Sequence, residues 1–409
     1  MHERAIEVDV CIIGGGVAGL WTLARLRHDG RRVVLLEREA LGAGQTIWSQ
    51  GIIHGGIKYA LTGESSAASR AIAAMPEVWS GCLSGRGTGD GTGVDLSSVR
   101  PLAREQHLWT TPGLVSKFAA AAASVVIRTR PERLERGSWP SEFAGAPRGI
   151  DVYRVAEPVL PGRAVIEALA RGHESCIRKV EEVEAIDGSG GVCARLREGA
   201  MQVRSRLVVC AAGEGNEQLA ALAGMRDAAR MQRRALHMVM VRGPSTRLPR
   251  VFGHCLGAST TPRVTITTAE CEGGAERVWY VGGSLAEEGV TRDEREQIAA
   301  ARRELAACVP WVNLDGPDVR WATGRINRAE GLTPDGSRPD VPVVVRRGAV
   351  AIAWPTKLAF APMLAREIAS MSEAKPPESE AREGIQPTAS ASAAVPVAAL
   401  PWESARWVG

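Results

Sequence analysis

Lysine is nearly missing from this 409-residue chain: only five of its 50 basic residues are lysine, and the remainder are arginine. Against 46 acidic residues the balance is +4, too small to argue for a nucleic-acid partner, and no basic cluster with interleaved aromatics is present. No run of about 18 apolar residues exists, so no segment reads as a membrane-spanning helix. The most apolar early stretch, Val8 to Ile13, is short and follows acidic residues, unlike a secretory signal. Cysteine is scattered over eight positions (11, 82, 176, 193, 210, 255, 271 and 308) without a C-x-x-C pair or zinc-type spacing. That excludes dithiol redox chemistry through such a pair and suits buried, reduced thiols, so a cytoplasmic location is expected. Phenylalanine and tyrosine are scarce as well, four and three residues against eleven tryptophans.

Glycine, by contrast, is plentiful at 45, and ten of these fall in the first 60 residues. Val8 to Ile13 predicts a buried strand. Gly14-Gly15-Gly16-Val17-Ala18-Gly19 then turns into a helix reaching about His28, and Arg32 to Leu36 predicts a second strand that ends on Glu37. Strand, glycine turn, helix and strand in this order form the βαβ unit that binds dinucleotides. Gly14, Gly16 and Gly19 serve the tight turn, the approach of backbone to a diphosphate, and the packing of helix on strand. The helix start offers free N–H groups and a partial positive charge to phosphate. Glu37, 18 residues after Gly19, is placed to accept both ribose hydroxyls, which suits FAD or NAD and disfavours NADP.

The next segment decides between flavin and nicotinamide. Residues Gly42 to Tyr59 (GAGQTIWSQGIIHGGIKY) are small and rich in side-chain donors, as a backbone laid along a flavin requires. This segment resembles the D-amino-acid oxidase superfamily, the glutathione-reductase-2-type flavoproteins. Ser49-Gln50-Gly51-Ile52-Ile53-His54-Gly55-Gly56-Ile57-Lys58-Tyr59 is similar to the S-x-x-L-I-H-G-G-x-R-Y stretch of flavin-linked glycerol-3-phosphate dehydrogenases, and L-2-hydroxyglutarate oxidases carry a related I-H-x-G-x-Y. Further matches are the strand Val208 to Gly213, the strand at Lys179 to Val183, Thr333-Pro334-Asp335-Gly336 and Ala361-Pro362. Two features depart from the family. Ala353 to Leu358 replaces the usual G-H-x-x-x-G, and Arg325 stands farther from Asp335 than the usual spacing.

The resemblance implies an α/β fold: a glutathione-reductase-like FAD-binding Rossmann domain with an inserted mixed or antiparallel β-sheet substrate domain. The expected division is 1–82, 156–232 and 318–370 for the FAD part, 83–155 and 233–317 for the substrate part, and a flexible tail over 371–409, with Trp402 and Trp407 in Leu400 to Val408 leaving open that its end docks back. It implies FAD as cofactor, with contacts at Gly14, Gly16, Val17, Ala18, Gly19, Glu37, Arg38, Gln45, Thr46, Ser49, Gln50, Gly51, Val180, Ala212, Gly213, Thr356, Lys357 and Leu358. No second G-x-G-x-x-G follows a strand, so electrons are expected to enter from a small-molecule acid and leave to oxygen, a quinone or a protein acceptor.

His54 is the acid/base candidate, because an imidazole titrating near neutrality suits removal of a hydroxyl or ammonium proton. It reads equally as a structural histidine beside the flavin. Lys357 is expected to stabilise negative charge on the flavin from the start of a helix over Lys357 to Ser370, and Tyr59 to sit on the substrate side. A carboxylate substrate calls for a bidentate arginine, with Arg325 first choice and Arg328 second. Trp48 and Trp354 are expected to wall the flavin. The function expected is removal of a hydride from the C–OH or C–NH carbon of a 2-hydroxy or amino acid. The alternatives are a flavoprotein acting on a macromolecule-bound substrate and a quinone-linked dehydrogenase.

Overall fold

The computed structural model describes residues 4–55, 67–87, 92–112, 131–259, 261–372 and 394–409, arranged around two large sheets. The first is built on β1 (Arg4–Ile13), which lies between β2 (Val33–Glu37) and β9 (Ala200–Cys210), parallel to both. Beyond β2 comes the parallel β6 (Ile177–Lys179), and beyond β9 the parallel β16 (Val350–Trp354), edged by the antiparallel β15 (Val343–Arg347). The hairpin β7 (Glu182–Ile186) and β8 (Gly191–Arg195) joins the first half of β9. The sequence reads Arg178 to Ile186 as one strand. The chain instead breaks at Val180, whose N–H donates to the Glu37 carbonyl, so that β6 extends the parallel sheet while β7 leaves it.

A central parallel strand is covered on both faces, which is why Val10, Cys11 and Ile12 form an unbroken apolar run with no exposed surface. One face is covered by α1 (Val17–His28), with α2 (Ala67–Leu83), α3 (Gly162–Ala170) and α7 (Ala361–Met371) packed in the same core. Trp21 of α1 meets Trp79 of α2 edge-on at 4.6 Å between ring centroids.

The second sheet runs β14 (Arg320–Gly331), β10 (Met231–Pro244), β13 (Glu276–Gly282), β12 (Val264–Glu270), β11 (Gly253–Leu256), β3 (Gln106–Thr110), β5 (Val152–Val155) and β4 (Glu132–Arg133). It is antiparallel except where β11 meets β3. Strand β14 is a correction to the expected boundary at 318. It pairs with β10 in an unbroken register from Met231↔Gly331 to Arg242↔Arg320, which draws it into the second sheet. Short α4 (Asn216–Leu222) and α5 (Ser284–Glu288) follow strand ends, and α6 (Glu294–Cys308) packs on the second sheet behind an Asp293 capping box.

The expectation of a flexible tail is corrected for residues 394–409, which pack back on the body. The Leu41 N–H donates to Pro396 O and the Ala398 N–H to Leu41 O, 2.8 and 2.9 Å. Farther on, Trp321 and Val408 exchange two backbone bonds of 2.7 and 2.8 Å, Trp402 lies against Tyr280, and the Arg242 guanidinium sits over Trp407. Four backbone bonds and two half-buried rings give this strap a stake in stability, since each bond contributes about 1 kcal/mol net. A chain ending at residue 393 is expected to melt about 5 °C or more below the full chain; an unchanged melting temperature would show that the strap carries no stabilisation.

Candidate active site

A cavity of about 670 Å³ runs along the carboxyl ends of β1, β2 and β9 and under the second sheet. At one end it is lined by Gly14, Gly15, Gly16, Val17 and Ala18, where β1 turns into α1. Gly16 caps the helix with no side-chain hydrogen bond, and of the first-turn amides the Val17 N–H has a side-chain acceptor, Thr46 Oγ1 at 3.2 Å. A helix start of this kind is a ready anion site. Glu37 closes the same end: its carboxylate accepts from the Gly15 and Glu39 N–H groups, both at 2.6 Å, which fixes it at the strand terminus. Arg38, Val180, Ala212 and Gly213 line the wall beside it.

Gly19 and Gly51 lie outside the lining and serve packing. A Cβ on Gly19 would come within 1.9 Å of the Gly14 carbonyl oxygen, and one on Gly51 within 2.0 Å of that of Leu160. Gln45 and Gln50 line the cavity, yet each is tied into the second sheet. Gln45 Oε1 accepts from the Ala329 N–H, and Gln50 Nε2 donates to the carbonyls of Thr265 and Tyr280 at 3.0 and 2.9 Å. Ser49 Oγ accepts from the Gly51 N–H. Trp48 lines the cavity, whereas Trp354 does not: it is buried in the first sheet's core, a correction to its expected place against the flavin.

At the far end, Pro355, Thr356, Lys357 and Leu358 form the rim. Thr356 has φ +63, alone among the described non-glycine residues in being positive, and the Lys357 N–H donates across it to Pro355 O at 2.6 Å. This is a strained three-residue turn, of the kind that persists where surrounding structure enforces it. Two buried side chains do so here. Asn216 Nδ2 donates to Ala353 O on one side, and Trp79 Nε1 to Ala359 O on the other, 2.9 and 3.0 Å. The helix expected from Lys357 is corrected: a 3-10 turn, Leu358–Phe360, intervenes and α7 begins at Ala361 with Pro362 in its first turn. Lys357 Nζ stands 5.3 Å over the Phe360 ring.

The arginine expectation is also corrected. Arg325 is not in the lining; its guanidinium donates to the carbonyls of Val290 and Arg292. Arg328 lines the cavity instead, with Arg234 directly opposite it in the β10–β14 register and Arg338 alongside. Arg234 forms a two-bond pair with the buried Glu330, at 2.8 and 3.0 Å. Among the described residues the acid nearest Arg328 is Glu287, 3.9 Å away and beyond hydrogen-bond reach. Burial, then neighbouring Arg338 and Arg234, push the Arg328 guanidinium down to about 10.

His54 lines the cavity with its side chain 41% exposed. Its ring stacks on that of His254, centroids 5.5 Å apart and planes 26° apart, and its Nδ1 is 3.7 Å from Glu157 Oε2. Glu157 has no exposed surface, and its Oε1 accepts from the Gly55 N–H at 2.5 Å. Neither Glu157 nor His254 stands in a recognisable motif, and sequence reasoning missed both. Tyr59 and Lys58 lie outside the described residues.

Burial, with a smaller push from His54, holds His254 down to about 3; burial and Arg154 hold His107 down to about 4. An unfolded histidine takes its proton near 6.5, so between these values the unfolded chain binds more protons than the fold. Stability is therefore expected to drop as pH falls from about 6.5 toward 4, by about 1.4 kcal/mol per pH unit for each ring. Melting curves over that range should show a shallower loss in His254→Asn than in the parent; parallel curves would contradict it.

Residues 9–371 match the family described as DAO: FAD dependent oxidoreductase. The probable FAD-dependent oxidoreductase PA4991 of Pseudomonas aeruginosa is 40% identical over 389 residues, covering 94% of this chain and 94% of the relative. Its crystal structure aligns with a TM-score of 0.79 at 36% identity, over 98% of this chain and 99% of that one. Glycine oxidase from Geobacillus kaustophilus shares the fold at a TM-score of 0.61 and 16% identity, over 91% and 96% of the two chains. So does L-alpha-glycerophosphate oxidase from Mycoplasma pneumoniae, solved with FAD bound, at 0.59 and 14% over 90% and 95%. A mixed α/β chain with an anion-ready helix start, a fixed carboxylate at the end of β2 and a long cavity under a second sheet thus has its family: it belongs to the DAO family of FAD-dependent oxidoreductases.

Proposed function

We propose that this oxidoreductase removes a hydride from the C–OH or C–NH carbon of a small carboxylic acid, a 2-hydroxy or amino acid, and passes the electrons to oxygen or another acceptor. The observation that carries the substrate class is Arg328. Its guanidinium faces a second guanidinium across the strand pair, on the cavity wall, with no carboxylate of the described residues in hydrogen-bond reach. Like charges directly opposite are destabilising unless an anion separates them. A guanidinium on the cavity wall in this setting fits one substrate carboxylate, which it can hold with two parallel hydrogen bonds.

The cofactor would lie along the lining. The N-terminus of α1 suits its diphosphate, Glu37 its ribose hydroxyls, the Val180 backbone its adenine, and the strained turn at Thr356, Lys357 and Leu358 the edge of its ring. The hydride acceptor in such an enzyme is the bound FAD. The chain's own part is to orient the substrate and move one proton. Arg328 would hold the carboxylate and so fix the reacting carbon. His54 would take the hydroxyl or ammonium proton, and Lys357 would supply positive charge at the ring's edge.

Anaerobic mixing of the holoenzyme with a panel of 2-hydroxy and 2-amino acids tests this. At least one acid should bleach the flavin band, and Arg328→Met should raise its KM about 100-fold, the loss of a charged pair worth about 3 kcal/mol, while Arg325→Met changes it little. No bleaching by any free acid, or equal effects of the two substitutions, would overturn the reading.

A further inference from the structure

A carboxylate without solvent contact needs hydrogen bonds and an opposite charge, because removal from water costs several kcal/mol that pairing must offset. Glu157, between β5 and α3, is fully buried. Gly55 N–H donates to its Oε1 and Gln106 Nε2 to its Oε2. Among the described residues, no lysine or arginine comes within ion-pair distance of it; the basic group that does is the imidazole of His54, through Nδ1. The same carboxylate therefore grips the backbone at residue 55 and faces the ring at residue 54. From the other side the ring is stacked on His254, whose own Nδ1 is 2.8 Å from Thr265 Oγ1.

We infer that Glu157 is a positioning residue that keeps the proton of neutral His54 on Nδ1, leaving Nε2 as the ring's acceptor toward the cavity. The catalytic consequence rests on the reading of His54 as the group that takes the substrate's proton. When a substrate O–H or N–H proton moves to Nε2, the imidazolium so formed keeps its Nδ1–H toward Glu157, whose negative charge stabilises it. Glu157 itself neither gains nor loses a proton. A carboxylate held behind an imidazole fixes both its tautomer and its orientation.

The surroundings say what removal of that charge does. In Glu157→Gln the amide oxygen stays with the Gly55 N–H, so the amide nitrogen faces His54 and Gln106. Gln106 can turn its amide to accept, because its Oε1 is buried without a hydrogen-bond partner among the described residues. Across the 3.7 Å that separates the two groups, the positive end of that amide favours Nδ1 as the bare nitrogen, and the proton moves to Nε2, where it blocks proton uptake.

The test is ¹⁵N NMR of the histidine-labelled, FAD-loaded full chain at neutral pH, with the His54 signals identified by their loss in His54→Gln. Wild type should show a protonated Nδ1 and a bare Nε2; Glu157→Asp should keep that form and Glu157→Gln invert it. On an acid that bleaches the flavin, Glu157→Gln should lower kcat at least about 100-fold with KM within about threefold and the flavin spectrum unchanged. A wild-type ring protonated on Nε2, or one tautomer common to wild type and Glu157→Gln, overturns the inference. Because wild type alone can fail, the test survives a variant that does not fold. Inversion of the tautomer with turnover intact supports the role of Glu157 and removes the reading of His54 as proton acceptor.

Discussion

Helix α1 can begin where it does only because Gly19 has no side chain. Its Cα rests against the carbonyl of Gly14 so closely that a methyl group would overlap that oxygen. This contact sets the angle between β1 and the helix and so aims the free N–H groups of the first turn into the cavity. Everything else at that end follows from it. Glu37 reaches the Gly15 N–H because the turn brings it there, and Thr46 caps the Val17 N–H because the segment after β2 folds back over the same turn.

From this fixed end the cavity extends to a wall that the first sheet does not own. The loop at residues 42–54 is tied to the second sheet through Gln45 and Gln50, so the two sheets share one lining. The strand pair β10–β14 contributes the positive charge there, and the strained turn at Thr356, pinned by Asn216 and Trp79, contributes the rim. The strap at 394–409 runs from Leu41, beside the glycine turn, to Trp321 on the far strand, and so crosses the joint between the sheets.

Local signals were legible in the sequence and long-range ones were not. The apolar run of β1, the spacing of Gly14, Gly16 and Gly19, and Glu37 at a strand end each act within one βαβ unit, so pattern alone locates them. The choice between Arg325 and Arg328 depends on which face of β14 meets the cavity. Three residues apart on a strand, the two side chains point to opposite faces, and only the register with β10 says which face is which. Leu236 and Met238 on β10, and Ile326 with Arg328 on β14, share the cavity face. Glu157 is a lone acid before a proline, and its significance comes from burial against residues 54, 55 and 106, which no local pattern encodes. The tail's composition is that of a solvated segment, and within it Trp402 and Trp407 mark the end that docks, on Tyr280 and under Arg242 of the folded body.

Contact between α1 and the β1 turn builds the cofactor site, so the flavin content of Gly19→Ala reports on it. Overpacking at this point costs about 1–3 kcal/mol or more and must displace the helix start. The purified variant should keep its secondary structure, carry little flavin absorbance, and bind added FAD at least about tenfold more weakly than the parent. A variant that holds one FAD per chain with the parent's affinity would show that this contact does not build the site.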